Sequence, residues 1–539
     1  MANWPNRLTP LDRFLDRFTW LRPGEGRSVA LFFAYALLMM FSYYVLKTIR
    51  EPLLLTGSGA EMKSYAHAAI AGVLLLLVPL YGVVFRNASR QQLTRFVTLF
   101  FLLNLGLFYA AGRAGLDIGF AYYVWVGVFG LMITAQFWGY AADSYSVKTG
   151  QRLFPVVMVG GTLGGLAAPA LSGALYPTLG PWLLMLAAMG LLALTLPLVR
   201  RARAAVPPGS RAEDLSGVGP ADGGVFSGFS LVLSDRYLFL LALLILLLNW
   251  VNTTGEYILA ELVVREAEAV AGGDAAARGA FIASFYGSFF STVNLLTVFA
   301  QVFLVARVIQ WMGVHRAVLV LPVVALAGYG LVTFLPVFTI LRVVKTLENA
   351  TDYSLMNTTR HALYLPLSPA QKYEGKTAIE TFFWRFGDLA QAGAIYAGLN
   401  WFDYGIEQFA AFNMMLAAVW LVVAWELSQL YRRKERAVSS NHPPQLRIAP
   451  EPRALRPGES FAFELPGETF VDPDQGDVLR FSARLAGGEG LPRWLKFRPE
   501  SLGFSGTVPG GLRGETVLVI RATDFDGAWA ETSLALKHV

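Results

Sequence analysis

The stretch YLFLLALLILLLNWVNTTGEYILAEL, residues 237–262, is a run of apolar residues long enough to cross a membrane as a helix. About 20 residues suffice to span the ~30 Å hydrocarbon core of a bilayer. The run also contains Asn249 and Glu256, and ionisable groups inside a membrane helix usually face a pathway or a partner. It therefore predicts a membrane span that carries functional polar residues.

Comparable apolar runs recur along the chain and predict an all-α polytopic membrane protein with twelve transmembrane helices in two six-helix halves. A polar connector separates the halves, and Pro336 alone marks the boundary between the ninth and tenth spans. The predicted spans are 28–47, 65–85, 94–112, 120–142, 154–177, 181–199, 237–262, 280–306, 316–335, 336–356, 378–399 and 407–431.

The same pattern divides the chain into six segments. Alternating short stretches after the last span predict a small C-terminal all-β sandwich. The segments are an N-terminal amphipathic interfacial helix (1–27), the first six-helix half (28–199), a cytoplasmic linker (200–236), the second half (237–436), a second linker (437–446) and the β-sandwich (447–539).

Composition excludes several protein classes. The 539 residues are 55% hydrophobic and only 15% charged, whereas soluble domains carry about 25% charged residues. This composition argues against a mostly soluble protein, a disordered chain and a nucleic-acid-binding protein. The chain has no Cys, which rules out disulfides, thiolate metal sites and cysteine nucleophiles.

The N-terminal segment shows apolar residues at helical spacing, among them Leu8, Leu11, Phe14, Phe18 and Leu21. Such a pattern is typical of an amphipathic helix in the membrane interface. A helix that caps the cytoplasmic face of the membrane domain explains the pattern equally well.

Topology follows from the distribution of Lys and Arg. The segments on one side of the predicted spans hold 24 basic residues and the opposite loops hold six. Because basic residues accumulate in cytoplasmic loops, both termini are expected in the cytoplasm of a bacterial inner membrane protein.

Helix 10 of the predicted bundle carries the densest set of charges. Arg342, Lys345, Asn349 and Asp352 recur at spacings that place them on one face, flanked by Glu348. Either these groups form internal ion pairs that lock the bundle, or they line a solvated cavity. In the second case Lys47 and Arg50, which share a face of helix 1, would complete an anion-binding site, because Arg supplies paired donors suited to phosphate or carboxylate.

Helices 1, 4 and 10 share a repeated ending, in which a Tyr precedes an Arg by seven residues. A recurrence every three helices indicates a transporter built from three-helix repeats, as in the major facilitator architecture, where helices 1, 4, 7 and 10 line the central cavity. The pairs are Tyr43 and Arg50, Tyr145 and Arg152, and Tyr353 and Arg360.

Five motifs resemble those of the ATP/ADP translocases of plastids and intracellular bacteria, and the resemblance covers roughly residues 28–431. It implies antiport of adenine nucleotides without ATP hydrolysis, on a fold of the major facilitator superfamily or close to it. The motifs are YYVLKTIRE (43–51), FWGYAAD (137–143), YSLMNTTR (353–360), KY (372–373) and WRFGD (384–388).

The resemblance also implies roles for single residues. Lys47 stands where a cavity Lys is expected, Asp143 occupies the acidic position that is usually Glu in the translocases, and Glu256 matches an acid of helix 7. Beside Arg385, the chain departs from the family pattern, because Asp388 replaces a basic residue. Substrate binding is therefore expected at Lys47, Arg50, Arg342, Lys345, Asn349 and Arg385, and coupling or gating at Asp143, Glu256, Glu348, Asp352 and Asp388.

Short motifs in the tail resemble dystroglycan-type, cadherin-like immunoglobulin modules. Closely spaced carboxylates there are candidates for binding Ca²⁺ through oxygen ligands, although Asp and Gly also form tight turns. The candidate ligands are Asp472, Asp474, Asp477, Asp524 and Asp526.

Three classes of function stay open at this stage. The first is a secondary active transporter that moves an organic anion, either a nucleotide or another solute such as a sugar phosphate or a lipid. The second is a membrane-embedded enzyme, which the five scattered His residues and the lack of a nucleophile motif disfavour. The third is a membrane anchor for the β module. No cofactor is expected apart from Ca²⁺ in the tail, and no partner of the tail is identified.

Overall fold

The structure is a computed structural model. It describes residues 9–17, 19–84, 90–207, 210–211, 227–368, 371–438, 442–473, 479–524 and 527–539. The chain forms two compact units, Met1–Arg432 and Arg433–Val539.

The first unit is helical. Three π-helical turns, at Asp352–Met356, Gln371–Gly375 and Ile379–Phe383, interrupt its second half. The helices are α1 (Pro10–Leu15), α2 (Glu25–Leu55), α3 (Glu61–Val84), α4 (Arg90–Arg113), α5 (Gly119–Ala142), α6 (Val147–Ala204), α7 (Ser227–Ser234), α8 (Arg236–Ala271), α9 (Ala275–Phe303), α10 (Val305–Met312), α11 (Val314–Ala317), α12 (Val320–Phe334), α13 (Phe338–Thr351), α14 (Asn357–Ala362), α15 (Lys376–Ala378), α16 (Trp384–Trp401) and α17 (Ile406–Val438).

Within the described residues, eight helical segments are long and apolar enough to cross a membrane. They establish an integral membrane protein, whereas the count of twelve spans stays a prediction. The segments are Glu25–Leu55, Gln92–Arg113, Gly119–Ala142, Thr149–Ala204, Arg236–Ala271, Ala275–Phe303, Val314–Phe334 and Ile406–Glu435.

Two details relate these helices to the predicted spans. The 58-residue α6 contains a break at Gly180, whose φ of 67° lies in the left-handed region that favours glycine, and this break separates two predicted spans. The chain also leaves its helix between α12 and α13, around Pro336. The predicted spans 336–356 and 378–399 are the ones that contain the charged residues of α13 and α16.

Labelling can test the predicted topology, because the chain has no native Cys. Arg17 follows α1 and Ala276 lies in the first turn of α9, and both side chains are exposed. We expect a Cys at position 17 to react with an impermeant maleimide only from the cytoplasmic side, and a Cys at 276 only from the opposite side. Labelling of both from the same side would contradict the twelve-span arrangement.

Within the predicted N-terminal segment 1–27, the structure describes residues 9–17 and 19–27, and α1 covers Pro10–Leu15. This helix starts with a capping box, in which the hydroxyl of Thr9 accepts a hydrogen bond from the Asp12 amide and the Asp12 carboxylate accepts one from the Thr9 amide. Asp12 also accepts backbone N–H bonds from Gly24 and Gly26 at the start of α2, over 3.1 and 2.7 Å. These contacts fix α1 against the N-terminal end of α2.

Helices α6 and α9 connect the two halves at close range. The amide of Asn294 donates to the carbonyl of Gly165 over 2.7 Å, and the Ser291 hydroxyl donates to the carbonyl of Leu166 over 2.9 Å. A Cβ on Gly287 would lie 2.8 Å from the Cα of Gly173. The backbones approach this closely because neither position carries a side chain.

The described residues of the second unit form nine strands in three small sheets and confirm the predicted all-β tail. The sheet orders are β2-β9-β8-β5, β3-β7-β6 and β1-β4, with β2 and β9 parallel and the other pairs antiparallel. The strands are β1 (Gln445–Leu446), β2 (Arg453–Leu455), β3 (Ser460–Glu464), β4 (Phe470–Val471), β5 (Arg480–Leu485), β6 (Leu495–Arg498), β7 (Gly503–Thr507), β8 (Gly514–Thr523) and β9 (Trp529–His538).

Alternation of side chains along β8 builds the core of this unit. Leu518, Ile520 and Ala522 are buried, as are Leu534 and Leu536 on the paired strand β9. Successive side chains of a strand point to opposite faces, so one face of this pair is apolar and covers the core.

Candidate functional site

A cavity of about 560 Å³ lies between the two halves of the membrane unit. Helices α2, α3 and α5 contribute one wall, and α8, α9, α13 and α16 contribute the other. Its polar and aromatic lining consists of Tyr43, Lys47, Arg50, Glu51, His67, Tyr123, Thr134, Asn249, Asn252, Thr253, Glu256, Phe290, Asn349, Tyr353, Trp384, Arg385 and Asp388.

Lys47 differs from the other cations of this cavity, because its described contacts are with aromatic rings rather than with carboxylates. Its Nζ lies 4.4 Å from the ring centre of Phe290 and 5.4 Å from that of Tyr44. In the described part of the chain, no carboxylate forms an ion pair with it. A cation held against ring faces keeps its charge available to an anionic ligand.

Arg50 begins a chain of buried ion pairs on the first-half wall. Its Nε lies 3.1 Å from Glu51 Oε1, and Glu51 Oε2 lies 3.2 Å from the Nζ of Lys63. Arg50 also donates to the Tyr123 hydroxyl over 3.2 Å, and that hydroxyl is 3.3 Å from Nε2 of His67. Each buried charge thereby has a partner of opposite sign, as burial requires.

The chain of pairs continues across the cavity into the second half. Lys63 Nζ lies 3.1 Å from Glu256 Oε2, and Glu256 Oε1 lies 3.7 Å from Lys345 Nζ. Lys345 in turn lies 3.1 Å from Glu348, which accepts a hydrogen bond of 2.5 Å from the Tyr329 hydroxyl. Lys63 therefore joins a carboxylate of each half.

Arg385 and Asp388 form a separate pair on α16. Their closest atoms are 3.3 Å apart, and Asn249 of α8 donates its amide to the other Asp388 oxygen over 2.7 Å. Asp388 thus neutralises the neighbouring Arg385. This wall of the cavity consequently has little net charge.

The structure brings together most of the predicted substrate residues. Lys47, Arg50, Asn349 and Arg385 line the cavity, and so do the predicted coupling residues Glu256 and Asp388. Their assigned roles stay predictions.

The other five predicted residues lie outside this lining: Arg342, Lys345, Glu348, Asp352 and Asp143. Arg342 is directed to α9, where it donates to the Ser288 hydroxyl over 3.2 Å and lies over the Phe285 ring. Lys345 is fully buried behind Glu256 and is held by its ion pairs and by the side chain of Asn252.

Glu348 lies deeper than the lining, on Tyr329 and Lys345. Asp352 is buried at the first residue of a π-helical turn. Of the four cations predicted on helices 1 and 10 (Lys47, Arg50, Arg342 and Lys345), only Lys47 and Arg50 line the cavity. Helix α13 contributes Asn349 to the lining instead of its cations.

Asp143 directly follows α5 and is absent from the cavity lining among the residues that the structure describes.

The three Tyr residues of the repeated Tyr–Arg ending do not all lie at the cavity. Tyr43 and Tyr353 line the cavity, whereas Tyr145 donates to the Ser28 hydroxyl. Arg152 forms a bidentate pair with Glu25, over 2.8 and 2.7 Å, far along α2 from Lys47.

Lys63 is the central residue that the sequence reasoning missed. It precedes the predicted span 65–85 and is therefore one of the six basic residues of the opposite loops, yet its side chain is only 2% exposed. Its position in the first turn of α3, just after the short connection from α2, was the available signal.

The calcium candidates of the tail receive no support from the described residues. Asp524 accepts a hydrogen bond from the Ala528 amide over 2.8 Å, the geometry of a turn. Asp472 follows β4, and Asp474, Asp477 and Asp526 lie outside the described residues. Over the part of the chain that was described, no group of three or more acidic or His residues is arranged to hold a metal.

Comparison with known proteins identifies relatives of both units. Residues 329–432 match the family model of the TLC ATP/ADP transporters, and residues 443–538 match that of the He_PIG Ig domain. ADP,ATP carrier protein 1 of Chlamydia muridarum is 24% identical over 512 residues, which cover 77% of this chain and 91% of that protein.

Solved transporter structures share the fold of the membrane unit. A bacterial homologue of the iron transporter ferroportin, in an inward-facing state, matches with a TM-score of 0.55 and 13% identity over 75% of this chain and 98% of that one. The nucleoside transporter NupG matches with a TM-score of 0.53 and 12% identity over 76% of this chain and 99% of that one. The membrane unit has a major facilitator-like transporter fold, followed by an Ig-like domain.

Proposed function

We propose that this chain, a homologue of the ADP,ATP carriers, is a secondary active transporter that exchanges organic anions of the nucleotide class by alternating access. The observation that carries the proposal is the cavity between the two halves, into which Lys47 brings a positive charge without a carboxylate partner among the described residues. A binding site at the interface between repeats is the arrangement that transporters of this architecture use.

The nucleotide class is supported by the relatives and by the cavity chemistry. The similar Chlamydia proteins are ADP,ATP carriers. Lys47 and Arg50 supply cationic groups for a phosphate. Tyr43, Tyr353 and Trp384 supply ring faces on which a base can stack, an interaction that suits any base.

Alternating access requires contacts between the halves that form in one state and break in the other. The α6–α9 hydrogen bonds and the Lys63–Glu256 ion pair are contacts of this kind. Gln391 of α16 adds another, since its amide donates to the Ser64 hydroxyl of α3 over 2.8 Å. Ligand binding would shift the equilibrium by interacting differently with the two states.

The proposed location is the bacterial inner membrane, with both termini in the cytoplasm. The 24-to-6 distribution of basic residues supports this orientation. No catalytic step is assigned to any residue.

Ligand binding by Lys47 can be tested with the purified, detergent-solubilised chain. We expect Lys47→Gln to weaken nucleotide binding by about ten- to a hundredfold, because a charge-assisted hydrogen bond contributes about 1.5–3 kcal/mol. Isothermal titration calorimetry with adenine nucleotides measures the change. Lys376→Gln is the matched control, since Lys376 also lies over a ring, that of Tyr364, but outside the cavity. Equal binding by both variants and the wild-type chain would place the anion site elsewhere.

A further inference from the structure

The charged residues that line the cavity, taken together with those joined to them by the described ion pairs, nearly cancel in charge. Three cations of the ion-pair chain face three carboxylates, and Arg385 faces Asp388. Lys47 is the fifth cation and has no acidic partner among the described residues. With five cations and four carboxylates, this set carries one net positive charge.

The ion pairs leave few donors free for a polyanion. Lys63 and Lys345 are buried behind the lining, at 2% and 0% exposure of their side chains. Arg50 and Arg385 reach the cavity with a carboxylate already at 3.1 and 3.3 Å. A phosphate that drew Arg385 away would leave the buried Asp388 without an ion-pair partner, which is costly. One that drew Arg50 away would leave Glu51 with Lys63 alone.

The negative charge of a nucleotide grows with its phosphates. A single phosphate monoester carries about −1.5 to −2 charges near pH 7, and each further phosphate adds another. In a partly dehydrated space, uncompensated charge of one sign is strongly unfavourable. One net positive charge matches a monophosphate most closely.

We infer that the ligand of this cavity is a nucleoside monophosphate in preference to a di- or triphosphate, an inference that rests on the proposed function. Lys47 takes the phosphate, and Arg50 lies one helical turn further along the same face of α2. Asp388 is the specificity-determining residue, because it cancels the charge of Arg385 on the opposite wall.

The test is a titration of the full-length, detergent-solubilised chain with AMP, ADP and ATP, in excess EDTA so that no divalent cation masks the phosphates. We expect affinity to fall in the order AMP, ADP, ATP. Asp388→Asn adds one positive charge and should raise the affinity ratio of ADP to AMP by on the order of tenfold. The variant Glu426→Gln makes the same charge change at an exposed surface pair with Arg236 and should leave the ratio unchanged.

A double variant separates charge from folding. Arg385→Gln combined with Asp388→Asn removes both members of the pair without changing the net charge, so it should restore the wild-type ratio. Tighter binding of ADP or ATP than of AMP by the wild-type chain would overturn the inference while supporting the proposed function. Absence of binding by all three nucleotides would overturn both. An unchanged ratio in Asp388→Asn would remove Asp388 as the determinant and contradict the charge argument.

Discussion

Replacing Lys63 by Met is expected to lower the free energy of unfolding by about 3–5 kcal/mol, the usual cost of removing one partner of a buried ion pair. Lys63 lies between Glu51 of α2 and Glu256 of α8, at 3.2 and 3.1 Å. Without the Lys63 ammonium, the carboxylates of Glu51 and Glu256 lose the cation that they share. Denaturant titration of the detergent-solubilised chain, followed by tryptophan fluorescence, measures the change.

Lys63→Met should also disturb the conformational change between the two states of alternating access, because Lys63 joins the two halves. Lys63→Arg keeps the charge and is the matched control, although a bidentate group fits the site differently. A Lys63→Met variant as stable as the wild-type chain would show that the two carboxylates are protonated or hydrated, and that the ion-pair chain is not a structural connection.

Replacing Lys345 by Met is the second change with a large expected effect, again about 3–5 kcal/mol. The side chains of Lys345 and Glu348 are 0% and 3% exposed and lie 3.1 Å apart. Removing the cation alone leaves Glu348 with the Tyr329 hydroxyl as its remaining partner among the contacts described above.

A double-mutant cycle with Glu348→Met tests this explanation by the same denaturant titration. Replacing both buried charges with apolar side chains of similar size is often nearly neutral. We therefore expect the double variant to recover most of the stability lost in Lys345→Met. Additive losses would show that the two residues act independently. The exposed Arg236–Glu426 pair is the control, because breaking it should cost no more than about 1 kcal/mol.

Apolar run length and turn residues were sufficient to predict the general fold. The break around Pro336 falls at the predicted boundary between two spans, and the tail forms the predicted strands, because helix length and strand alternation are local properties of the sequence. Contacts between separate segments are different, since spacing alone does not show that Gly24 and Gly26 donate hydrogen bonds to Asp12.

Local spacing was less informative about the site. It placed Arg342 and Lys345 on one face of a helix, but could not show which acids would meet that face. Lys345 pairs with Glu256, a residue of another helix, as well as with Glu348 of its own helix, and Arg342 is directed to Ser288 on α9. Lys63 looked like a loop cation for the same reason, since its partner Glu256 lies 193 residues further along the chain.

The most direct test of the central claim, that the cavity exchanges nucleotide-class anions, is counterflow in proteoliposomes. Vesicles that contain the full-length chain are loaded with an unlabelled adenine nucleotide and diluted into the labelled one, with AMP, ADP and ATP each used in turn. The account predicts transient accumulation of label that requires internal nucleotide and falls by about tenfold or more in Lys47→Gln. Label uptake no greater than in protein-free vesicles for all three nucleotides, with folded protein in the membrane, would contradict it.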